Sequence, residues 1–363
     1  MSALPSRTLL ITGVSGQWGR LLAQRLLGEP SVRLLGIDRR PPDPPLEGLD
    51  FIKADVRNPL LPELLAAEGV DTVVHLATVE RQWRREADFE NNVLGTMQLV
   101  GACAEAGVAR VVLRSTTALY GARPDNPMYL PEDWPLKATP TYGYLRDALE
   151  IEQWLQEFRQ EYPELHVAVV RLAHVLGPSL VTPLSRLLTQ PVVPCLLGFD
   201  PLLQVISDED AVEALAHAAL SYLDGPLNAA APGAVSLVQA ASIAARPLLP
   251  VVHWPFLQSL PLLSATRAGR RALSWFPVEP VYLRFPCTAD IARLGDVLGW
   301  RPQHSAVQAV ERFVAAQRTA RFRQSPEAQR FADDGLDQAL RQRRRRAQTV
   351  MDIPVAGLEG DRP

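Results

Sequence analysis

Three glycines, Gly13, Gly16 and Gly19, recur at three-residue intervals in the stretch RTLLITGVSGQWG that runs from Arg7. An apolar run of strand length precedes them, and RLLAQRLLG, with its apolar positions at helical spacing, follows. A strand, a tight turn and a helix start in that order let the backbone approach a pyrophosphate closely, and the turn amides and helix dipole favour its negative charge. Ser15, Gln17 and Trp18 fill the same turn and are candidates for the same ligand. The next apolar run, VRLLGID, ends in Asp38, 19 residues past Gly19, where a carboxylate accepts from the adenosine ribose hydroxyls of a dinucleotide. Arg39 and Arg40 follow at once and suit a 2′-phosphate, so NADP stays open while Asp38 points to NAD.

Such a turn needs a sheet to carry it. Further strands are expected in LDFIKAD, VDTVVHLA and ARVVLRST, with segments of helical length between them, which is the alternation of a parallel sheet covered on both faces. The fold class expected is therefore α/β, a doubly wound Rossmann sheet. With 363 residues and 47% hydrophobic content the chain can bury a large core and form more than one lobe. A net charge of −3 gives no reason to invoke nucleic acid, and no run of 18 or more apolar residues is present to span a bilayer. The N-terminus has no signal-peptide pattern, and Cys103, Cys195 and Cys287 lie far apart without metal-ligand spacing. The expectation is a cytoplasmic protein with reduced thiols and no metal.

On TGVSGQWG, on Asp55-Val56 after the third strand, on HLA at 75–77, NNVLGT at 91–96, STTALYG at 115–121 and RLAHVLGP at 171–178, the chain resembles the extended short-chain dehydrogenase/reductases. That family includes UDP-glucose 4-epimerase and the sugar-nucleotide dehydratases, and the likeness covers roughly residues 7–315. The resemblance implies a Rossmann domain over 1–175, with its sheet completed by parts of 200–235, and a smaller interleaved substrate lobe and closing helices over 176–321; beyond about residue 322 the periodicity fades, and a basic, flexible tail is expected over 322–363. It implies that Asp55 and Val56 flank the adenine, Leu76 and Ala77 line the cofactor groove, Asn91 lies near the nicotinamide end, and Thr116 is the active-site hydroxyl. It also implies a small-molecule substrate, and a homodimer formed by helices around NNVLGT and TYGYLRD.

The family's chemistry needs a tyrosine and, four residues later on the same helix face, a lysine that lowers its pKa. Two registers fit TYGYLRDALEIE: Tyr142 with Arg146 in the lysine position, or Tyr144 with Ala148 there, the second favoured by the matching Arg-Asp and Glu-x-Glu. Neither contains lysine; Lys53 and Lys137 are the only two in the chain. Without a close ammonium the reacting tyrosine is expected to keep a pKa near its ordinary value of about 10. His174 stands where the family commonly has Asn, either as a substrate contact or as a satisfied core residue. Ser207 is expected to cap a helix whose first turn holds Asp208, Glu209 and Asp210. The aromatic-rich segment 246–286 fits either a small-lobe core or an apolar lid over a hydrophobic substrate or partner surface, and Arg343 to Arg346 form a basic run. Two functions follow: an NAD(P)-binding atypical oxidoreductase or epimerase acting on a hydroxylated substrate such as a nucleotide sugar, or a non-catalytic dinucleotide-binding sensor or scaffold.

Overall fold

The structure, a computed structural model, describes residues 7–83, 85–323 and 343; Arg344 to Arg346 of the basic run lie outside the described residues. In chain order the first half holds β1 (Arg7–Thr12), α1 (Gln17–Leu26), β2 (Val32–Asp38), β3 (Asp50–Lys53), α2 (Leu61–Ala67), β4 (Thr72–His75), α3 (Glu86–Phe89), a π-helical turn (Glu90–Leu94), α4 (Gly95–Glu105), β5 (Arg110–Thr116) and α5 (Gly143–Glu161). Then come β6 (His166–Leu172), β7 (His174–Leu176), α6 (Pro183–Thr189), β8 (Val193–Leu196), β9 (Leu202–Leu203), β10 (Val205–Ser207), α7 (Asp208–Leu220), β11 (Gly225–Ala229) and β12 (Val235–Ser236). The described chain closes with α8 (Leu237–Ile243), β13 (Leu248–Val251), α9 (His253–Ala265), α10 (Arg267–Leu273), α11 (Ala292–Leu298) and α12 (Ala306–Arg323).

Seven strands form one parallel sheet in the order β3-β2-β1-β4-β5-β6-β11. Because successive side chains point to opposite faces, each strand feeds two cores. Leu9, Ile11, Val74, Val112 and Val170 face α1 and α7, where Leu22, Leu26, Leu215 and Ala219 meet them. Leu10, Val73, Val111 and Val169 face the other way onto Leu61, Leu65, Leu99, Cys103, Leu155 and Phe158 of α2, α4 and α5. On α1 the buried residues Gly19, Leu22, Ala23 and Leu26 fall at helical spacing. This is the doubly wound Rossmann arrangement, and its strand order reverses between β1 and β4, where such sheets open a crevice at their C-terminal ends.

A second core, around Leu184, Leu187, Val193, Leu203, Val235, Phe276, Tyr282, Val310 and Phe313, joins α6, α8 and three small two-stranded sheets. Ser207 caps α7 by accepting from the Asp210 amide at 3.0 Å, with Asp208, Glu209 and Asp210 in the first turn. Residues up to Val314 group as one compact unit, and a second unit begins at Ala315. The segment 246–286 divides: Leu273, Phe276, Tyr282 and Leu283 are buried, whereas Trp254 and Leu262 of α9 are exposed.

Candidate active site

The glycine turn follows β1. Gly13 has φ +70°, and a Cβ there would stand 2.7 Å from Ala77 Cα, so the close approach of the chain after β1 to the chain after β4 requires glycine. At Gly19 a Cβ would come within 2.3 Å of the Gly13 carbonyl oxygen, which fixes how tightly α1 seats on the turn. Gly16 is freer, its nearest neighbour being Gly13 O at 3.2 Å, and it precedes α1 with no side-chain cap on the helix amides. The Asp38 carboxylate at the end of β2 accepts from the Ser15 amide at 3.1 Å and from the Arg40 amide at 3.4 Å, and the Ser15 hydroxyl donates to the Arg40 carbonyl at 2.5 Å.

Gly13, Gly16, Asp38, Arg39, Asp55, Val56, Leu76, Ala77 and Asn91 line one groove. Asp55 is held by Arg57 through two side-chain contacts of 2.9 Å, and that hydrogen bonding lowers its pKa to about 2. The π-helical turn supplies the clamps. Asn91 donates to the Ala77 carbonyl at 2.9 Å, while Asn92 accepts from the Val79 amide at 2.8 Å and donates to Asp147 of α5 at 2.9 Å. Beneath the groove, His75 bridges Thr12 and Thr96 at 2.6 and 3.0 Å, and full burial holds it neutral, with its pKa lowered to about 3.

Thr78 and Val79 line both this groove and a second cavity, so the two meet there. The inner cavity brings together Thr116 at the end of β5, Tyr144 and Ala148 on α5, and His174 at the start of β7, with Trp18, Glu80 and Arg114 around them. Tyr144, Ala148 and Glu152 are spaced four apart and present one face of α5 to the cavity. Ser115 donates to the Glu152 carboxylate, and Arg171 of β6 holds Glu152 at 2.6 Å and the Tyr120 hydroxyl at 2.8 Å, so that face is pinned to the sheet. At its start α5 is set by the chain after β4: Gly143 and Tyr144 amides donate to the carbonyls of Gln82 and Arg81 at 2.7 and 3.1 Å. Buried Glu279 accepts from the Thr141 amide at 2.5 Å.

Tyr142 and Arg146 do not line this cavity. Tyr142 is buried and donates its hydroxyl to the Phe276 carbonyl at 2.6 Å, and Arg146 is exposed. Trp18, Gln17 and Ser15 are not in the groove wall either. Trp18 faces the inner cavity, Gln17 accepts from the Val181 amide at 3.4 Å, and Ser15 holds Asp38 and Arg40.

The expected pKa of the tyrosine is corrected by its surroundings. Burial, and then the charges of Glu80 and Glu279, push Tyr144 well above the ordinary phenol value, with Arg186 opposing. Ala148 leaves the neighbouring helical position without charge. The cavity's arginine, Arg114, is committed elsewhere: it pairs with Glu80, donates to Thr78 at 3.1 Å, and lies 4.8 Å from the Trp18 ring centroid. His174 is half-buried, and desolvation lowers its pKa to about 4, leaving a neutral ring near pH 7. Thr116 caps the turn after β5 by accepting from the Ala118 amide at 3.2 Å, which leaves its own proton available to a ligand. Sequence reasoning missed Glu80, Arg114 and Asn92. An arginine inside the apolar run VVLRST was the one local signal for Arg114.

A glycine-turn groove at the switch point of a doubly wound sheet, opening onto a cavity with threonine and tyrosine hydroxyls, defines a dinucleotide-fold protein of the oxidoreductase and epimerase type. Residues 9–219 match the NAD dependent epimerase/dehydratase family, and the chain belongs to it. An uncharacterised protein of Mycobacterium tuberculosis is 32% identical over 314 residues, 84% of this chain and 82% of the relative. UDP-glucose 4-epimerase 3 of Oryza sativa is 30% identical over 134 residues, 36% of this chain and 35% of that protein. Among solved structures, MoeE5 in complex with UDP-glucose and NAD is similar at 25% identity and a TM-score of 0.64, covering 86% of this chain and 99% of its own. UDP-glucose 4-epimerase of Thermotoga maritima shares the fold at a TM-score of 0.66 and 18% identity, over 86% of this chain and 99% of its own. Among the described residues no helix is long and apolar enough to cross a membrane.

Proposed function

We propose that the chain binds NAD in the groove and performs oxidoreductase or epimerase chemistry on a hydroxylated substrate, such as a nucleotide sugar, in the inner cavity. The observation that carries this is the junction of the two cavities at Thr78 and Val79, which joins the glycine-turn groove to the cavity lined by Thr116 and Tyr144. The residues fit the cofactor, because Gly13 and Gly16 bring side-chain-free backbone to the groove wall and Asp38 lines the same groove as an acceptor for ribose hydroxyls. When bound, NAD supplies a hydride acceptor or donor.

The chain's own groups do the rest. The Gly13–Gly16 turn takes the pyrophosphate, Asp38 the adenosine ribose, Asp55 and Val56 the adenine. Thr116 and Tyr144 donate to one substrate oxygen, and neutral His174 orients a second hydroxyl. Tyr144 stays protonated through the neutral range, so it serves as an acid towards a carbonyl more readily than as a base towards an alcohol. The nucleotide-sugar reading draws on MoeE5, which was crystallised with UDP-glucose and with UDP-glucuronic acid. The test is an NAD titration by calorimetry followed by nicotinamide absorbance on adding UDP-glucose or UDP-glucuronic acid. Tyr144→Phe is expected to lower turnover by about 10²- to 10⁴-fold while Tyr142→Phe spares it; equal activity in all three proteins sinks the assignment.

Ala148 supports a second reading, a non-catalytic NAD-binding protein of the same fold. Tight NAD binding with no change in cofactor redox state across nucleotide sugars and hydroxylated lipids is its expected signature.

A further inference from the structure

Helix α9 has two unlike faces. His253, Phe256, Leu260 and Leu263, at helical spacing, are half-buried; Phe256 stacks on Phe276 at 4.6 Å and His253 meets the edge of Phe199 at 4.9 Å. On the opposite face Trp254, Gln258, Leu262 and Ala265 are exposed, Trp254 by 64% and Leu262 by 71%. A helix that faced only water would carry charge there. This one has no charged residue from Trp254 to Ala265.

The apolar surface continues beyond the helix. Val252, just before α9, and Leu249 on β13 are exposed, and the Leu197 amide, whose side chain is also exposed, donates to the Val251 carbonyl at 2.8 Å. Immediately after α9, α10 folds back so closely that a Cβ on Gly269 would lie 2.1 Å from the Leu263 carbonyl oxygen. Arg267, Arg270 and Arg271 of α10, all exposed, therefore follow the apolar helix directly. No Asp or Glu occurs between Gly225 and Val278, so the surrounding sequence supplies cations and apolar groups without local carboxylates.

We propose that the α9–α10 hairpin is a docking surface for an anionic lipid bilayer, with Trp254 and Leu262 entering the headgroup boundary and the α10 arginines meeting lipid phosphates. Exposed tryptophan and leucine suit the headgroup boundary, and the arginines that follow on α10, with no carboxylate in the surrounding sequence, give the charge complementarity that selects an anionic membrane. The hairpin is tied to the catalytic end of the fold: Gln82 donates to the Leu273 carbonyl at 3.1 Å and Tyr142 to that of Phe276 at 2.6 Å, both next to the start of α5.

The test uses the full chain with vesicles of phosphatidylcholine alone or mixed with phosphatidylglycerol, read by co-flotation and by quenching of tryptophan fluorescence with brominated lipid. The wild type is expected to float with the anionic vesicles, and less so as salt is raised. The double variant Trp254→Ser, Leu262→Ser and the triple variant Arg267→Glu, Arg270→Glu, Arg271→Glu are each expected to weaken binding by about tenfold or more. NAD titrations on both variants check that the fold is intact. Absence of wild-type binding to anionic vesicles overturns the proposal. So does vesicle binding that neither variant weakens, which assigns it to another part of the chain, and so does a dimer in sedimentation equilibrium that Trp254→Ser, Leu262→Ser dissociates without any vesicle binding.

Discussion

Ala148→Lys puts an ammonium back at the position where the cavity lacks one, and its effect on Tyr144 can be worked from the helix. Residues four apart on α5 have Cβ atoms about 5–6 Å apart, and both side chains face the cavity. Two opposite charges at about 5 Å, in a site of effective dielectric constant about 20, interact by about 3 kcal/mol, which corresponds to a shift of about 2 pKa units. An opposite charge favours the phenolate, so the shift is downward; desolvation of the new lysine opposes part of it. In the wild type, burial and then Glu80 hold Tyr144 well above the phenol value, so its phenolate should be absent through the accessible alkaline range. Ultraviolet titration of phenolate absorbance reads this without any substrate. The chain has 7 tyrosines, so the signal of Tyr144 is isolated by subtracting Tyr144→Phe, with and without Ala148→Lys. The variant should ionise Tyr144 at lower pH than the wild type, by at most about 2 units while the new lysine stays charged, in a signal that Tyr144→Phe removes. If no such early phenolate appears, then either the two side chains do not share the cavity face or the environment of Tyr144 is not the one described.

Other outcomes follow from the same geometry. Gly19→Ala should destabilise the fold and remove NAD binding, since its Cβ would meet backbone at 2.3 Å, whereas Gly16→Ala should fold and show weakened NAD affinity, as read by thermal melts and calorimetry. Asp38→Ala should reduce NAD affinity and raise the relative affinity for NADP, because it removes a carboxylate from beside Arg39; an unchanged NAD to NADP ratio contradicts the ribose role. His75 has a folded pKa near 3, below its unfolded value, so its contribution to stability is complete above about pH 6.5 and is lost as pH falls towards the folded value. Urea unfolding should therefore show stability falling by up to about 5 kcal/mol over that acid window, with a shallower fall in His75→Gln.

What could be read from the sequence was what is local in the chain. The strand, glycine turn and helix over 7–26 are written in consecutive residues, and Asp38 ends the very next apolar run, so these elements were legible, whereas the departure of Ser15, Gln17 and Trp18 from the groove wall was not. The choice between Tyr142 and Tyr144 was not. Two residues apart at a helix start, they differ in what lies across from them: Tyr142 finds the Phe276 carbonyl, 134 positions away, and Tyr144 finds the cavity wall of β5 and β7. The division of 246–286 into a buried part and an exposed helix face was equally hidden, because leucine and tryptophan at helical spacing do not say which face is covered.

The same distinction bears on the missing lysine. A cation is present in the cavity, but it comes from β5 and is answered by Glu80 from the chain after β4, 34 residues earlier in the sequence. With Arg114 paired to Glu80 and stacked over Trp18, its positive charge does not lower the phenol's pKa, and Glu80 and Glu279 add to burial in raising it. The cavity therefore offers neutral donors: a threonine hydroxyl, a protonated phenol and an uncharged imidazole. Such a set stabilises a developing negative charge on oxygen by hydrogen bonding without drawing a proton off it. If that is the working state, Glu80→Gln should release the Arg114 charge into the cavity and lower the Tyr144 pKa, and the same phenolate titration reads the change. A Tyr144 titration that Glu80→Gln leaves unmoved would show that the Glu80–Arg114 pair does not govern the electrostatics of the site.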